Sequence, residues 1–185
     1  MKSKKFLGES NKTLISELQK NVRIKYTALA KKFGVTPAAT KERVERLIDK
    51  KIIKVSALID PQNILPTSAI VGIEADPEEV NILVRRLRNC PLLFHMTKTS
   101  GNHNFILSIA TESIAQMEDF LNKQIRSEPG IRHIEVNISN MTIIPEYSQL
   151  RITPNPKQNE IAPCGMRRGE TDQCINCPAL ISKEE

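Results

Sequence analysis

The sequence predicts an α+β protein in which an N-terminal winged helix-turn-helix precedes a ferredoxin-like βαββαβ domain. Two patterns predict this fold: a helix, tight turn and helix around Gly34, and a later alternation of strands with amphipathic helices. A third observation is the charge distribution. Residues 1–60 carry 15 Lys and Arg against 6 Asp and Glu, a net charge of +9, whereas residues 61–150 carry a net charge of −3. This polarity is typical of a nucleic-acid-binding module joined to a domain with a different task.

The first 60 residues contain the signals for three helices and a strand. Two short helices are predicted before Gly34, which provides the permissive backbone of a helix end. Thr36 is a favourable N-cap for the third helix, and Pro37 occupies its first position, where a missing N–H costs nothing. This helix is predicted to run to about residue 50. The segment 52–60, IIKVSALID, is strand-like and would form the wing.

The following residues alternate between strand and helix patterns. Strands are predicted over 69–75, 92–99, 104–111 and 131–144, and helices over 77–90 and 113–127. Their order is that of a ferredoxin-like domain. The predicted organisation is a winged helix-turn-helix over 1–60, a linker over 61–66, the second domain over 67–150 and a loop-rich tail over 151–185. The tail has four prolines and little periodicity, so it is expected to be disordered unless something fixes it.

The third helix combines small residues at its start with basic residues along one side. Ala38 and Ala39 would allow close approach to base edges in a major groove, and Lys41 could reach a phosphate or a base. Arg43 could instead form an internal salt bridge with Glu42 or Asp49. The predicted DNA-binding residues are Lys25, Tyr26, Thr27, Thr36, Ala38, Ala39, Lys41, Arg43 and Arg46. The alternative is a three-helix packing unit that binds no ligand.

Residues 11–64, NKTLISELQKNVRIKYTALAKKFGVTPAATKERVERLIDKKIIKVSALIDPQNI, resemble the N-terminal half of the Lrp/AsnC family of transcription regulators. The βαββαβ segment resembles that family's regulator-of-amino-acid-metabolism domain. The resemblance implies a DNA-binding regulator that binds double-stranded DNA as a homodimer, often assembled into octamers. It implies that dimerisation occurs through the C-terminal sheets. It also implies a small-molecule effector, typically an amino acid, bound between dimers.

The chain departs from the family pattern at three places. Lys51 stands where a Gly usually follows the third helix, and Asn11 stands where an acidic residue is frequent. The family's effector loop usually reads Gly-x-x-Asp-Tyr, whereas this chain has GNHNF. A carboxylate would pair with an amino-acid ammonium, and an amide lacks that charge. The candidate effector-binding residues are Gly101, Asn102, Asn104 and Phe105. Alternatively, Gly101 serves only the turn and Phe105 only the core.

The tail contains three of the four cysteines, within the segment PCGMRRGETDQCINCPA. The Cys-x-x-Cys spacing lets two thiolates converge on one metal ion, so Cys164, Cys174 and Cys177 are candidate ligands for zinc or an iron–sulfur cluster. The fourth ligand of a zinc site could come from a partner subunit or from Cys90, His95, His103 or His133. A thiol redox switch would use the same residues, and the cysteines could also have no specific role.

Two other functions remain compatible with the sequence. Siroheme decarboxylases are similar to Lrp/AsnC proteins in both halves, and His95 with Asn104 and Phe105 faintly matches their pattern. A sequence-tolerant architectural DNA binder would use the same basic surface. No nucleophile–base arrangement is evident, so the chain is not expected to be an enzyme. The sequence lacks a secretion signal and a membrane span, which favours a cytoplasmic location without membrane contact.

Overall fold

The computed structural model describes residues 8–139 and 147–180. The chain divides into two compact units, with the boundary between Ala57 and Leu58. The first unit contains three helices, and the second contains a four-stranded sheet with helices. Apart from a strand predicted over 52–60, these are the elements that the sequence predicts, and the predicted fold class is confirmed.

Three helices form the first unit: α1 over Glu9–Lys20, α2 over Tyr26–Phe33 and α3 over Pro37–Asp49. Their shared core is apolar, with Leu14, Leu29, Val44 and Leu47 buried. Half-buried apolar side chains surround this core: Ile15, Leu18, Ile24, Phe33, Ile52 and Ile53. The three helices therefore pack around a small but continuous core.

The turn between α2 and α3 follows from local sequence chemistry. Gly34 ends α2 in the left-handed region at φ 64°, where an L side chain would be strained. Thr36 then caps α3, because its hydroxyl oxygen accepts a hydrogen bond from the N–H of Ala39 at 3.1 Å. Pro37 stands at the first helical position. These sequence predictions are confirmed.

The strand predicted over 52–60 is wrong. Residues 53–58 have no regular secondary structure, and Ile59 makes only an isolated bridge, to Ser148. A strand needs a partner for its backbone groups along its length, and among the described residues the segment finds a strand-like partner only at Ile59. Ile52 and Ile53 instead pack against the helical core. The wing is therefore not formed as a strand in this chain.

The end of α3 is a Schellman motif that carries a lysine where glycine is favoured. The N–H of Lys51 donates to the carbonyl of Ile48 at 2.8 Å, and the N–H of Ile52 donates to the carbonyl of Leu47 at 2.9 Å. Lys51 itself has φ 55°. An L residue in this region costs about 1–2 kcal/mol relative to right-handed backbone, so this helix end is strained.

Replacing Lys51 by Gly should therefore stabilise the protein. We expect Lys51→Gly to raise the free energy of unfolding by about 0.5–1 kcal/mol, since relief of strain exceeds the extra entropy of an unfolded glycine. Urea unfolding of the full chain, followed by circular dichroism, measures the change. Lys51→Ala is the control: it removes the same side chain but keeps the strained backbone, and it should give no gain. An equal gain in both variants would contradict the strain argument.

The second unit has the ferredoxin-like order of elements. Its strands are β1 over Thr67–Ala75, β2 over Leu93–Lys98, β3 over Phe105–Thr111 and β4 over Ile131–Ser139. Its helices are α4 over Pro77–Leu87 and α5 over Ile114–Leu121, which continues as a π-helical turn over Asn122–Arg126. The sheet order is β2-β3-β1-β4, and all neighbouring strands are antiparallel.

One face of the sheet forms the larger core with the two helices. Val71, Ile73, Leu107 and Ile109 are fully buried there, and the helices contribute a matching apolar set: Val80, Leu83, Leu87, Met117, Phe120, Leu121 and Ile125. Alternation along β1 directs Ile70 to the opposite face, where its side chain is 52% exposed. The sheet therefore keeps an apolar residue accessible on the face away from the helices.

The tail packs on the second unit and is not a separate appendage. It is loop-rich, as predicted, with one 3₁₀ turn over Pro156–Gln158. However, several of its side chains join the larger core: Ala162, Cys174, Cys177, Ala179 and Leu180. Pro61 and Leu65, in the segment predicted as a linker, are also buried. Apolar burial thus fixes segments whose local sequence carries no periodic signal.

Candidate nucleic-acid interface and associated sites

The N-terminal turn of α3 presents small residues to solvent. Thr36, Ala38 and Ala39 are exposed, whereas Thr40, Val44 and Leu47, on the other side of the helix, are buried. The buried stripe fixes the rotation of α3 about its own axis, so the exposed turn has a defined orientation within the first unit. A helix with this exposure can approach the floor of a DNA major groove closely.

The basic residues of α3 form exposed pairs with acidic neighbours one turn away. Lys41 Nζ lies 3.7 Å from Glu45 Oε1, and an Arg46 nitrogen lies 2.5 Å from Glu42 Oε1. All four side chains are more than half exposed. Exposed pairs of this kind contribute little to stability. Lys41 and Arg46 can therefore exchange a carboxylate for a phosphate at low cost.

Arg43 has a different environment from the other predicted DNA-binding residues. It is half-buried, and its Nε donates a hydrogen bond to Asn11 Oδ1 at 2.6 Å. The structure thus gives Arg43 a partner on α1, where the sequence suggested Glu42 or Asp49. The Arg43–Asn11 bond ties α3 to α1 across the small core. Arg43 thereby orients the helix whose first turn is the candidate reading surface.

The start of α2 adds a second group of exposed residues. Lys25 is the N-cap and makes no side-chain capping bond, because an ammonium group has no acceptor. Tyr26 and Thr27, in the first turn, are also exposed. A helix N-terminus without an acidic or hydroxyl cap offers its first N–H groups and its dipole to an anion. This end of α2 can therefore contact a DNA phosphate.

Ion pairing also holds α1 against α2. Glu17 pairs with Lys20 at 3.2 Å and with Lys32, which lies on α2. Hydrogen bonds from Lys32 and then Lys20 hold the pKa of the Glu17 carboxyl below its usual range. Lys32 is thereby engaged by a carboxylate, and it is not among the predicted DNA-binding residues.

The candidate effector residues do not all face one site. Gly101 and Asn102 are exposed in the β2–β3 connection, whereas the Phe105 ring is fully buried in the larger core. The Asn104 amide is held by β1: its Nδ2 donates to the Ala75 carbonyl at 2.7 Å, and its Oδ1 accepts from the Ala75 N–H at 3.1 Å. Of these four candidates, Gly101 and Asn102 are the two left at the surface for a ligand.

His103, in the same loop, packs against the sheet, and the sequence analysis did not predict this contact. Its ring lies over Gly72 of β1, where an added Cβ would approach within 2.7 Å of the ring. The ring also stacks on His133, with centroids 5.8 Å apart, and its Nε2 lies 3.5 Å from Glu135 Oε2. The glycine inside β1 was the available sequence signal, because a strand glycine frequently marks a close approach.

We expect Asn104→Asp to destabilise the second unit. The carboxylate would lose the donor that Nδ2 provides and would place negative charge against the Ala75 carbonyl. The expected loss is about 1–3 kcal/mol, the cost of leaving a partly buried polar group unpaired. Thermal unfolding of the full chain measures it. The control is Asn102→Asp, the same change at an exposed site two residues earlier, which should be nearly neutral. Equal stability of the two variants would contradict a stabilising role of the Asn104 amide.

Cys90, Cys174 and Cys177 belong to the larger core cluster, Cys164 packs half-buried against it, and all four are free thiols. Burial raises the pKa of the Cys174 thiol to about 12 and also raises the pKa values of Cys177 and Cys90. Of the candidate fourth ligands, Cys90 is the one that lies in the same core cluster as the tail cysteines. Within residues 8–139 and 147–180, no three His, Cys, Asp or Glu side chains are already arranged to hold a metal ion.

The residues that suggested a tetrapyrrole enzyme lie apart along the β2–β3 hairpin. His95 pairs with Ser108, whereas Phe105 pairs with Lys98, three residues further along β2. This separation is about 10 Å at the rise of a strand. His95 lines a shallow cleft of about 190 Å³, together with Arg88, Leu93, Phe94, Met96, Gln149 and Arg151. The structure does not bring His95 together with Asn104 and Phe105 into one site.

Comparison with known proteins gives matches over both units. The profile of the AsnC-type helix-turn-helix domain matches residues 9–48, and that of the Lrp/AsnC ligand binding domain matches residues 68–148. An uncharacterized HTH-type transcriptional regulator of Pyrococcus furiosus is 33% identical over 139 residues, which cover 71% of this chain and 90% of the relative.

Solved structures show the same fold. E. coli AsnC matches with a TM-score of 0.67 at 21% identity, over 74% of this chain and 94% of that protein. A transcriptional regulator of Neisseria meningitidis in complex with L-Met matches with a TM-score of 0.65 at 16% identity, over 74% of this chain and 91% of that chain. Among the described residues, no helix has the length and apolar character needed to cross a membrane.

Proposed function

Since the chain belongs to the Lrp/AsnC family of DNA-binding transcription regulators, we propose that it acts as a homodimer that reads two DNA half-sites through its α3 helices. In this arrangement the two half-sites lie about one helical turn, or a multiple of it, apart. The single observation that carries the proposal is the first turn of α3. It is exposed, composed of small residues, and followed by the accessible Lys41.

The proposal divides the contact residues into two roles. Ala38 and Ala39, with Thr36 beside them, face the base edges, where small side chains permit close approach and Ala can contact a thymine methyl. The other exposed candidates bind phosphates and fix the register of the protein on the duplex: Lys25, Tyr26, Thr27, Lys41 and Arg46. Arg43 supports α3 from within through its bond to Asn11.

The second unit is proposed to carry dimerisation and effector control. The sheet face opposite the helices keeps the apolar Ile70 accessible, and covering this side chain in a dimer would remove apolar surface from water. The regulator of Neisseria meningitidis was solved with L-Met, and we propose that a small molecule also modulates this chain, at the exposed Gly101 and Asn102. Further assembly of dimers, up to an octamer, belongs to the same proposal.

The role that we propose for this chain is regulatory and not catalytic. Relatives from three Pyrococcus species carry the name of HTH-type transcriptional regulators. The arrangement of His95 relative to Asn104 supports the same view, since the hairpin separates them. These residues therefore do not form a common site for a tetrapyrrole.

Footprinting on the DNA upstream of the chain's own gene tests the proposal that a dimer binds two half-sites. We expect two protected patches in the major groove on one face of the duplex, centred about one turn apart. Sedimentation of the free protein should give the mass of a dimer or a multiple of it. A single protected half-site, or a monomeric mass at the footprinting concentration, would contradict binding as a dimer.

A further inference from the structure

The chain's four cysteines collect in the second unit although they are far apart in sequence. Cys90 lies in the turn between α4 and β2, where its N–H donates to the Leu87 carbonyl at 2.9 Å. Cys164 lies in a short hairpin of the tail, and Cys174 and Cys177 lie in one loop. Cys90, Cys174 and Cys177 are each 7% exposed, and Cys164 packs half-buried against the same apolar cluster.

The loop between Cys174 and Cys177 is held in place by α5. Gln116, which is buried, donates from Nε2 to the carbonyls of Ile175 at 3.2 Å and Asn176 at 2.7 Å. Asp119 Oδ2 accepts the N–H of Ile175 at 2.7 Å. The helix thus binds the backbone between the two thiols through directed hydrogen bonds.

The backbone beside two of the thiols is in the left-handed region. Gly165 follows Cys164 with φ 92°, and its N–H donates to the Ala162 carbonyl at 2.9 Å. Asn176, which precedes Cys177, has φ 47°. Glycine adopts this region freely, whereas Asn176 is strained there, and such strain persists where the surrounding structure requires it. Both loops therefore turn tightly at a residue next to a cysteine.

We propose that Cys90, Cys164, Cys174 and Cys177 bind one four-coordinate, thiolate-preferring divalent metal ion of the zinc class. Four cysteines, two of them in a Cys-x-x-Cys loop, are the ligand set of a closed structural site. Because no three ligand side chains among the described residues are arranged in advance to hold an ion, binding must draw the sulfur atoms to about 2.3 Å from it. The four thiol protons leave to solvent as the thiolates form.

The histidines are less suited to complete the site. His103 and His133 stack on each other, and His95 is exposed on β2. Cys90, in contrast, lies in the same cluster as the tail cysteines. The metal would fasten the tail, which lies wholly beyond both family profiles, to the ferredoxin-like domain. This inference is independent of DNA recognition by the first unit.

Cobalt titration of the reduced, metal-free full chain tests the proposal. Co²⁺ in a tetrahedral thiolate site gives intense sulfur-to-metal charge-transfer bands, and we expect them to saturate at one ion per chain. Zn²⁺ should then abolish the bands by displacement. Elemental analysis of the protein as purified should find one zinc ion per chain. A folded chain that binds no Co²⁺, or that contains iron with acid-labile sulfide, would overturn the proposal.

Two variants test the assignment of the fourth ligand. Cys90→Ser should weaken Co²⁺ binding by more than about 100-fold, because it removes a direct ligand and not an outer partner. The matched control is His95→Ala, which changes a side chain that is not expected to bind the metal. This variant should bind Co²⁺ as tightly as the parent chain does. Unchanged affinity in Cys90→Ser would contradict the assignment of Cys90.

Alkylation of the cysteines in the parent chain tests the same four ligands without a substitution, so it can be used even if Cys90→Ser does not fold. Addition of Zn²⁺ to the metal-free protein should slow maleimide labelling of all four cysteines at least about 10-fold, since bound thiolates are shielded from attack. Unchanged labelling of any of the four in the presence of Zn²⁺, or a disulfide between two of them in the purified protein, would count against the site.

Discussion

Ala39→Glu is expected to weaken binding to the operator by at least about 100-fold. The substitution places a carboxylate in the first turn of α3, where the reading surface would meet base edges between two phosphate backbones. Like charges brought together at an interface cost several kcal/mol, and a dimer carries the change twice. Fluorescence anisotropy with labelled upstream DNA at fixed salt measures the loss.

Folding is not expected to suffer from the same substitution. The introduced glutamate would complete a capping box with Thr36, whose hydroxyl already accepts the N–H of Ala39. We therefore expect the free energy of unfolding to be unchanged or slightly raised. The matched control is Ser10→Glu, which adds the same charge to the first turn of α1, where no DNA contact is predicted. Equal losses in the two variants would show that net charge, and not the position on α3, is responsible.

Phe105→Ala is expected to lower the free energy of unfolding by about 3–5 kcal/mol, the cost of removing a fully buried aromatic side chain. Phe105 is among the largest buried side chains of the larger core and pairs with Ile73 of β1 across the sheet. The sequence left open whether Phe105 binds an effector or fills the core. Urea unfolding of the full chain measures the loss.

Phe105→Leu and Ile138→Ala are the controls for this prediction. The first keeps most of the apolar volume and should cost much less than the alanine variant. The second truncates an apolar side chain of β4 that is 50% exposed, so it should cost little. A small effect of Phe105→Ala would contradict the placement of this ring in the core.

Local chemistry explains which parts of the fold were predictable from the sequence. Thr36, Pro37 and Gly34 act on their immediate neighbours through a cap, a fixed φ and a left-handed turn, so the start of α3 could be deduced. The βαββαβ order also follows from periodicity. The segment 52–60 has a strand pattern, but a strand forms only with a partner, and pairing is not encoded locally.

The associated sites depend on contacts between distant residues. Nothing near Cys90 indicates that it joins cysteines more than 70 positions later. The role of Asn104 was equally hidden, because its partner Ala75 lies 29 residues away. Of the three departures from the family pattern that were visible in the sequence, two are at Lys51 and Asn11. Their consequences, a strained helix end and a bond to Arg43, required the structure.

The central claim is that this chain selects a DNA sequence through the exposed turn of α3. The most direct measurement is the affinity for its own upstream DNA relative to an unrelated duplex of equal length, at several salt concentrations. We expect a preference of at least about 1,000-fold at physiological salt, with both affinities falling steeply as salt rises. Equal affinity for the two duplexes would contradict selective regulation and indicate an architectural binder. No binding at low salt by the folded protein would contradict DNA recognition altogether.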